Sequence, residues 1–264
     1  MSCDAPITPS LKFCINCGRA LSIDISNVLN STAKIIRKQP SIVLPVLFQS
    51  WIIGTISISL YTLRTSLTMA PLLDLTGFFR LSIVPAVLAV IIAPLVNGMY
   101  PSMVWSASSG EKIDLSDALG KSVRKYRRLI VSYVLIILII GLATIALIVP
   151  GLILATWYYY TTPAIVLEDR GVSDAMDTSK AFARDKKWDT FALLAVGSGP
   201  TILSGLVQRI GEMMWIGSGI MYFMIVSFFA GFLSAVLSAI MASYVYVNYA
   251  KPKQISTEPM TKNQ

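Results

Sequence analysis

Residues 129–149 read LIVSYVLIILIIGLATIALIV, twenty-one consecutive residues without one charged side chain. An α-helix rises about 1.5 Å per residue, so a helix of this length spans the roughly 30 Å hydrocarbon core of a bilayer. In the whole chain only 14% of the residues are charged and 55% are hydrophobic, whereas a soluble protein carries about 25% charged residues. The stretch therefore indicates an all-α integral membrane protein.

Apolar runs of similar character recur on both sides of this stretch. Pro150 and Gly151 follow it at once and predict a tight turn, because proline lacks an amide donor and glycine tolerates positive φ. The next run, 152–167, is short, and it either crosses fully or re-enters as a kinked element. We predict about six transmembrane helices, at 41–63, 81–100, 129–149, 152–167, 190–208 and 219–248.

A short string stands before three of the apolar stretches, as DISNVL at 24–29, DLSDAL at 114–119 and GVSDAM at 171–176. A basic segment with apolar residues at helical spacing follows each string, which predicts three amphipathic helices. In the second copy we expect Ser116 to be the N-cap, since a serine hydroxyl can accept an orphan amide of the first turn. The chain thus reads as a threefold helix-plus-hairpin repeat.

Lysine and arginine are distributed very unevenly along these segments. With six crossings, nineteen of the 22 basic residues fall on the side shared by the two termini and the three amphipathic helices. The opposite side keeps Arg64, Arg80 and Arg209. Cytoplasmic segments carry the excess of Lys and Arg, so we expect a multi-pass protein of the cell membrane with both termini in the cytoplasm. We attribute the net charge of +8 to these cytoplasmic segments, and we expect no nucleic-acid partner.

The basic faces of the amphipathic helices suggest membrane lipids with anionic headgroups as partners. Three interpretations stay open: the helices set topology and cap the bundle, they bind lipid in a regulated way, or they dock a cytoplasmic protein. We also expect Trp105, Trp188 and Trp215 to be interface anchors near the span ends.

The predicted spans contain no Asp, Glu, Lys or Arg, and the chain has no histidine. Proton relays and ion paths usually need such residues, so their absence argues against a proton-coupled transporter. Asn97, Asn248, Gln49 and Gln208 fall near predicted span ends, and we expect the two asparagines to cap helices. The fifth span contains Gly197, Gly199, Pro200 and Gly205, which predicts a bent or locally unwound helix.

The last span carries a stripe of small residues at four-residue spacing. Small side chains let another helix approach closely. The partner is either a helix of the same chain or a second copy in a homo-oligomer. The stripe consists of Ser227, Gly231, Ala235, Ala239 and Ser243.

All three cysteines lie in the first 17 residues. Cys14 and Cys17, with Gly18 behind them, have the spacing of one zinc knuckle, and Cys3 could add a third sulfur. This segment resembles the knuckle of short N-terminal zinc ribbons in many archaeal proteins, but the second cysteine pair is missing. Zinc is the one cofactor that we consider for this segment. The alternatives are a decayed knuckle and redox chemistry of the cysteines. We divide the chain into a cytoplasmic cysteine tail at 1–22, a membrane domain at 23–250 and a disordered cytoplasmic tail at 251–264.

The segment from Val149 to Trp188 contains a Pro-Gly turn, the run Pro163-Ala-Ile-Val-Leu-Glu168 and the start Gly171-Val-Ser-Asp-Ala175. It resembles a prokaryotic family of multi-pass proteins related to the membrane domain of some glycerophosphodiester phosphodiesterases. The resemblance covers about forty residues and implies a helical membrane domain of largely unknown role. It does not carry over phosphodiesterase activity, which would need a soluble domain with histidines and acidic metal ligands.

We find no catalytic constellation, and the leading interpretation is a non-enzymatic scaffold or accessory protein. The first alternative is a permease-like component for a neutral or lipid-like solute, which a polar cavity at mid-membrane would favour. The second is a lipid-acting enzyme. Its only acidic cluster, which we interpret instead as the start of the third amphipathic helix, comprises Glu168, Asp169, Asp174 and Asp177.

Overall fold

The computed structural model describes residues 23–47, 49–50, 75–213 and 220–250, and these are helical, with no strand among them. The predicted cysteine tail, the C-terminal tail and Trp215 lie outside the described residues. After α1, a 3-10 turn at Pro40–Val43 leads into α2. The helices are α1 (Ile25–Lys38), α2 (helical residues 44–47 and 49–50), α3 (Leu75–Ser108), α4 (Leu115–Arg124), α5 (Tyr126–Ala146), α6 (Ile148–Trp157), α7 (Thr161–Glu168), α8 (Val172–Asp185), α9 (Lys187–Met213) and α10 (Ile220–Tyr249).

Four helices in the described ranges are long and apolar enough to cross a membrane. They contain the segments Val90–Ser108, Tyr126–Ala146, Lys187–Val207 and Ile225–Tyr249. Helix α5 shows why the surface is compatible with a membrane protein: it is apolar, yet only 11% of its span is buried inside the molecule. Of the other two predicted crossings, the first is described only as far as residue 50, and the fourth is divided between α6 and α7.

Each of the three strings lies at a helix start. The first residue of each string is the N-cap of α1, α4 or α8. Asp24 Oδ1 accepts two first-turn amides at 3.0 and 3.2 Å, and Asp114 Oδ1 accepts the amide of Ser116 at 2.8 Å. The prediction of Ser116 as the N-cap is therefore wrong, because a carboxylate two residues earlier makes the stronger, charge-assisted bond. Gly171 occupies the same position before α8 and offers no side-chain cap.

We call the three helices that begin at these strings, α1, α4 and α8, the string helices. They pack through a narrow face of small residues. In each string the fifth residue is buried, and so is the hydroxyl residue four positions later. Both positions lie on one side of a helix, since residues four apart are neighbours. The six residues are Val28 and Thr32 in α1, Ala118 and Ser122 in α4, and Ala175 and Ser179 in α8.

The buried hydroxyls of α4 and α8 bind the backbone of neighbouring helices. Ser122 Oγ donates to the carbonyl of Leu95 in α3 at 2.7 Å. The approach is so close that a Cβ on Gly98 would lie 2.5 Å from Ser122 Oγ, which no ordinary side chain permits. Ser179 Oγ donates to the carbonyl of Trp157 at 2.7 Å and accepts the amide of Tyr160 at 3.0 Å. It thereby bridges the break between α6 and α7.

The turn between α5 and α6 lies earlier than predicted. Leu147 breaks the helix with φ −161° and ψ 137°, whereas Pro150 and Gly151 belong to the first turns of α6. Proline fits there because the first amides of a helix have no intrahelical partner. Gly151 is needed for close approach, since a Cβ would lie 2.1 Å from Thr144 Oγ1 and 3.0 Å from Thr144 Cα.

For the fifth span the alternative of a locally unwound helix is wrong, and a bend there stays a prediction. Helix α9 runs without interruption from Lys187 to Met213, with Pro200 inside it. The interruption occurs instead in the fourth span, where residues 158–160 separate α6 from α7. Tyr160 in this turn is fully buried and makes edge-on contact with Phe182 of α8, at a centroid distance of 4.8 Å.

Hydrogen bonds at both ends of helix α1 connect it to other parts of the protein. The amide of Ile23 donates to Asp189 Oδ2 in the first turn of α9 at 3.0 Å. Beyond the other end, Gln39 Nε2 donates to the carbonyl of Glu111 at 2.9 Å, and Gln39 Oε1 accepts the amide of Ile113 at 2.8 Å. The start of α9, the two ends of α1 and the loop before α4 are therefore held together.

Candidate functional site: an uncharged cavity between the helices

A half-open cavity of about 420 Å³ lies between α2, α3, the α6–α7 region, α9 and α10. Its volume falls in the range of small-molecule sites, roughly 300–1,000 Å³. No charged side chain is among the described residues that line it. The polar ones are Gln49, Asn97, Tyr159, Thr162, Ser198, Thr201, Ser234, Ser238 and Ser243.

On α9 and α10 the cavity lies at the middle level of the candidate spans. Ser198 is near the centre of Lys187–Val207. The α10 lining extends over residues 231–243, which occupy the central part of Ile225–Tyr249. The turn at residues 158–160 contributes Tyr159 to the lining.

The small-residue stripe of the last span forms one wall of this cavity. Four of its five members line the cavity, namely Gly231, Ala235, Ala239 and Ser243. A Cβ on Gly231 would meet nothing within 4 Å. Small side chains therefore leave space here inside one chain, and homo-oligomerisation through the stripe stays a prediction.

Gln49 and Asn97 line the cavity, and the sequence alone did not predict this position for either residue. Asn97 lies well inside α3, so the expectation that it caps a helix end is wrong. Gln49 is 9% exposed, and its Oε1 atom has no hydrogen-bond partner. Asn248, by contrast, lies in the last turn of α10 and donates to the carbonyl of Tyr244 at 2.8 Å, as expected of a capping side chain. An amide inside a long apolar run was the available signal for the two missed residues.

Several hydroxyl protons of the cavity wall are already used within the protein. Tyr159 Oη donates to the carbonyl of Ser238 at 3.0 Å and lies 3.3 Å from Ser238 Oγ, which donates to it. Ser243 Oγ donates to the carbonyl of Ala239 at 2.7 Å, and Ser234 Oγ donates to the carbonyl of Gly197. The serine oxygens that remain can accept further hydrogen bonds, so this wall is rich in acceptors.

A second polar cluster lies at the end of α7. Asp169 is the C-cap there, in the left-handed region with φ 54°. Lys125 Nζ lies 3.2 Å from Asp169 Oδ1 and donates to the carbonyl of Val166 at 2.8 Å. Arg128 donates to both the carbonyl and Oδ1 of Asp169 at 2.9 Å. The hydrogen bond and charge of Lys125, helped by Arg128, lower the pKa of Asp169 below its ordinary value.

The acidic residues that sequence reasoning grouped together belong to different helices. Glu168 is the last residue of α7; it pairs with Arg170 and accepts the hydroxyl of Tyr246 at 2.7 Å. Asp174 lies in the first turn of α8. Glu168 and Asp169 therefore do not start the third amphipathic helix, as predicted, but link the end of α7 to α5 and α10.

The basic residues of the string helices are mostly exposed, as amphipathic faces require. Lys34, Arg37 and Lys38 are exposed on α1, and Lys121 and Arg124 are exposed on α4. On α8, two cations lie over the Trp157 ring, with Lys180 Nζ 4.9 Å and Arg184 Cζ 5.6 Å from its centroid. Trp105 and Trp188 lie in the last turn of α3 and the first turn of α9, and both side chains are exposed.

The zinc prediction concerns Cys3, Cys14 and Cys17, all outside the described residues. Among the residues that are described, no group of three or more His, Cys, Asp or Glu could hold a metal ion.

No family model, curated protein or solved structure matches this chain. The resemblance to the phosphodiesterase-associated membrane domain therefore stays a prediction.

Proposed function

We propose that this chain is a permease-like membrane protein that binds a neutral solute within its helical bundle. The cavity carries this proposal, because it has the volume of a ligand site, a mainly apolar lining with uncharged polar side chains, and a position midway along the candidate spans of α9 and α10. An ion or charged metabolite would lose its hydration there without gaining a counter-charge. A neutral solute loses far less, so it is the class that this lining favours.

A six-span path for the chain supports the proposal. Helix α5 has 21 residues and is thus about 30 Å long. Near its C-terminal end, Thr144 contacts the position of Gly151 in α6, and near its start Arg128 binds Asp169 just after α7. Helices α6 and α7 together therefore return along the full length of α5, which favours a complete fourth crossing over a re-entrant element.

The buried hydroxyl at equivalent positions of three helices supports the threefold repeat. Ser122 binds α3, the helix that precedes α4, and Ser179 binds the end of α6, within the helix pair that precedes α8. In a closed threefold arrangement α1 would pack against α10, the last helix. Tyr244 of α10 does donate to Ser31 of α1 at 3.1 Å. We infer three units, each an amphipathic helix followed by a hairpin, packed as a ring.

The proposed orientation places the string helices in the cytoplasm. Hydrogen bonds connect the ends of α1 to the α9 start and to the loop before α4, so several basic segments gather at one end of the bundle. The excess of Lys and Arg favours the cytoplasmic side for that end. A reporter that is active only in the cytoplasm, fused to the C-terminus, tests this, and an exterior signal would overturn it.

A scaffold role is the second candidate, and the exposed basic residues of α1 and α4 favour it. In that case the surface binds anionic headgroups or an acidic cytoplasmic partner, and the cavity has no role.

Osmotic swelling of proteoliposomes tests the permease. Vesicles with the full-length protein, shifted into an iso-osmolar series of neutral solutes, should swell faster than empty vesicles for at least one solute. Gly231→Leu, which fills the cavity wall, should return the rate to that of empty vesicles. Gly205→Leu is the matched control, because a Cβ on Gly205 also meets nothing within 4 Å but that residue does not line the cavity. Equal rates for Gly231→Leu and the native protein would contradict the proposal.

A further inference from the structure

Two cations of α8, which we call the cation pair, lie close to one aromatic ring. The pair consists of Lys180 and Arg184, whose charged groups lie 4.9 and 5.6 Å from the centroid of the Trp157 ring in α6. A cation within about 6 Å of an aromatic face is attracted to it. Asp177 and Asp185 are near in the sequence, yet neither cation forms an ion pair or a hydrogen bond within the described ranges. The ring therefore holds two like charges near each other, and their N–H donors are unused.

The cation pair lies beside the end of a candidate span. Trp157 is the last residue of α6, and Tyr160 in the turn that follows places its hydroxyl 3.3 Å from Thr190 Oγ1. Thr190 lies near the start of α9, where the candidate span Lys187–Val207 begins. Trp188 lies in the same part of α9 and is 74% exposed. Tryptophan and basic side chains are typical of the headgroup level of a membrane, so we place the cation pair at that level.

An exposed apolar surface on α6 leads away from the cation pair. Its side chains are between 43 and 75% exposed, and they are Ile148, Val149, Leu152 and Ile153. Val149, Ile153 and Trp157 follow one another at four-residue spacing, so they lie on one side of the helix. In a bilayer this surface contacts acyl chains, whereas a soluble anion would gain nothing from it. A ligand that joins a negative headgroup to hydrocarbon fits both parts.

We propose that the cation pair binds the phosphate of one anionic phospholipid, whose acyl chain lies along α6. Arg184 can donate to two phosphate oxygens with its planar guanidinium, and Lys180 adds a second charged donor. A zwitterionic headgroup would bring its own cation beside these two, so the pair favours a lipid with net negative charge. The site is separate from the cavity and from the basic faces of α1 and α4, so the inference does not depend on the permease.

Native mass spectrometry of the full-length protein tests the inference. Delipidated protein in mild detergent is titrated with phosphatidylglycerol, or with phosphatidylcholine that has the same acyl chains. At least one phosphatidylglycerol should bind more tightly than any phosphatidylcholine. The double variant Lys180→Gln with Arg184→Gln should weaken this binding about tenfold or more, because both charge-assisted contacts are lost. Without lipid it should unfold at the same temperature as the native protein, which shows that lost binding is not lost folding.

A matched control removes the same charge from another string helix. Lys34 and Lys38 are exposed on α1 and have the same four-residue spacing as the cation pair. Lys34→Gln with Lys38→Gln should therefore leave the tightest phosphatidylglycerol binding unchanged. Equal losses in the two double variants would reduce the effect to net charge and would overturn the inference, as would native affinity in Lys180→Gln with Arg184→Gln.

A third variant separates the geometry of the site from its charge. Trp157→Leu keeps both cations but removes the ring that holds them together, so it should weaken the binding about two- to fivefold. An unchanged affinity would contradict the proposed arrangement.

Inorganic phosphate and a poly-glutamate peptide are the competing probes. Displacement of the lipid by equimolar phosphate would identify a site for a free anion. Tight binding of the peptide at the cation pair, without any preference for phosphatidylglycerol, would identify a site for an acidic protein. Either result would refute the assignment to a phospholipid.

Discussion

The three buried hydroxyls of the string helices should respond differently to removal, although they occupy equivalent positions. Ser179 makes two backbone hydrogen bonds, Ser122 makes one, and Thr32 Oγ1 is buried without a partner. The informative variants are Ser179→Ala, Ser122→Ala and Thr32→Val. The valine has the shape of threonine and replaces only the hydroxyl. If the backbone contacts determine stability, the three effects should form a series.

The magnitudes follow from what each substitution leaves behind. Ser179→Ala strands the carbonyl of Trp157 and the amide of Tyr160 at the α6–α7 break, and a buried unpaired group costs about 1–3 kcal/mol. With two groups stranded, we therefore expect a loss of about 2–6 kcal/mol in the free energy of unfolding. Ser122→Ala should cost about 1 kcal/mol, since Leu95 lies within α3 and its carbonyl can keep its helical partner. Thr32→Val should be neutral or stabilising by about 1 kcal/mol, because it removes an unmet polar group.

Thermal unfolding in mild detergent, followed by intrinsic tryptophan fluorescence, measures the series. Ser173→Ala is the control, since Ser173 lies on the exposed side of α8. The order of midpoints should be Thr32→Val at or above the native protein, then Ser122→Ala, then Ser179→Ala. A Thr32→Val loss as large as that of Ser179→Ala would refute the reasoning, as would a Ser179→Ala midpoint equal to the control.

Three further predictions concern caps, close packing and charge. Asp114→Ala should lower the unfolding free energy by about 1 kcal/mol and Ser116→Ala by at most a few tenths, and the reverse order in thermal unfolding would restore serine as the cap. Gly151→Ala should cost about 1–3 kcal/mol in the same assay, because its Cβ would lie 3.0 Å from the Cα of Thr144, and an unchanged midpoint would show that α5 and α6 are farther apart. The pKa of Asp169 is lowered in the folded protein, so its contribution to stability is present above the ordinary value of 3.8 and is lost as the pH falls below it. The Asp169→Asn variant keeps a side chain that tolerates the left-handed backbone but removes the charge. It should lower the unfolding free energy by less than about 1 kcal/mol at pH 7, since the carboxylate is exposed. In unfolding measured at several pH values, the stability of the variant should fall less at acid pH than that of the native protein.

The class of the fold could be predicted from the sequence because its cause is local. A run such as 129–149 must form a helix in hydrocarbon, where its backbone has no other hydrogen-bond partner. The string helices could be located for a similar reason, since capping and helical periodicity are encoded within a few residues. The sequence does not distinguish Asp114 from Ser116 as the N-cap. Both side chains can accept a backbone amide, and only their geometry determines which one does.

The positions of the breaks could not be predicted in the same way. Gly197, Gly199 and Pro200 are strong helix breakers by intrinsic preference, yet α9 continues through them. Ser234 of α10 donates to the carbonyl of Gly197, which is next to the Val196 carbonyl that Pro200 leaves without an intrahelical amide. The real interruption at 158–160 depends on Ser179, which lies about twenty residues further along the chain. At 158–160, contacts with a residue distant in the sequence therefore accompany an interruption that the local sequence does not signal.

The cavity shows how the same physics can leave space as well as fill it. Stripes of small residues usually bring helices together in membranes, where no hydrophobic effect drives association. Gly197 on α9 does so, since a Cβ there would lie 3.2 Å from the Cα of Ser238. Gly231 lies about two turns from Ser238 on α10, and a Cβ there would meet nothing within 4 Å. The two positions differ in whether another part of the protein lies opposite them. Where the backbone of another helix lies opposite, as at Gly197, a small residue allows contact; where nothing lies within 4 Å, as at Gly231, it leaves part of the cavity open.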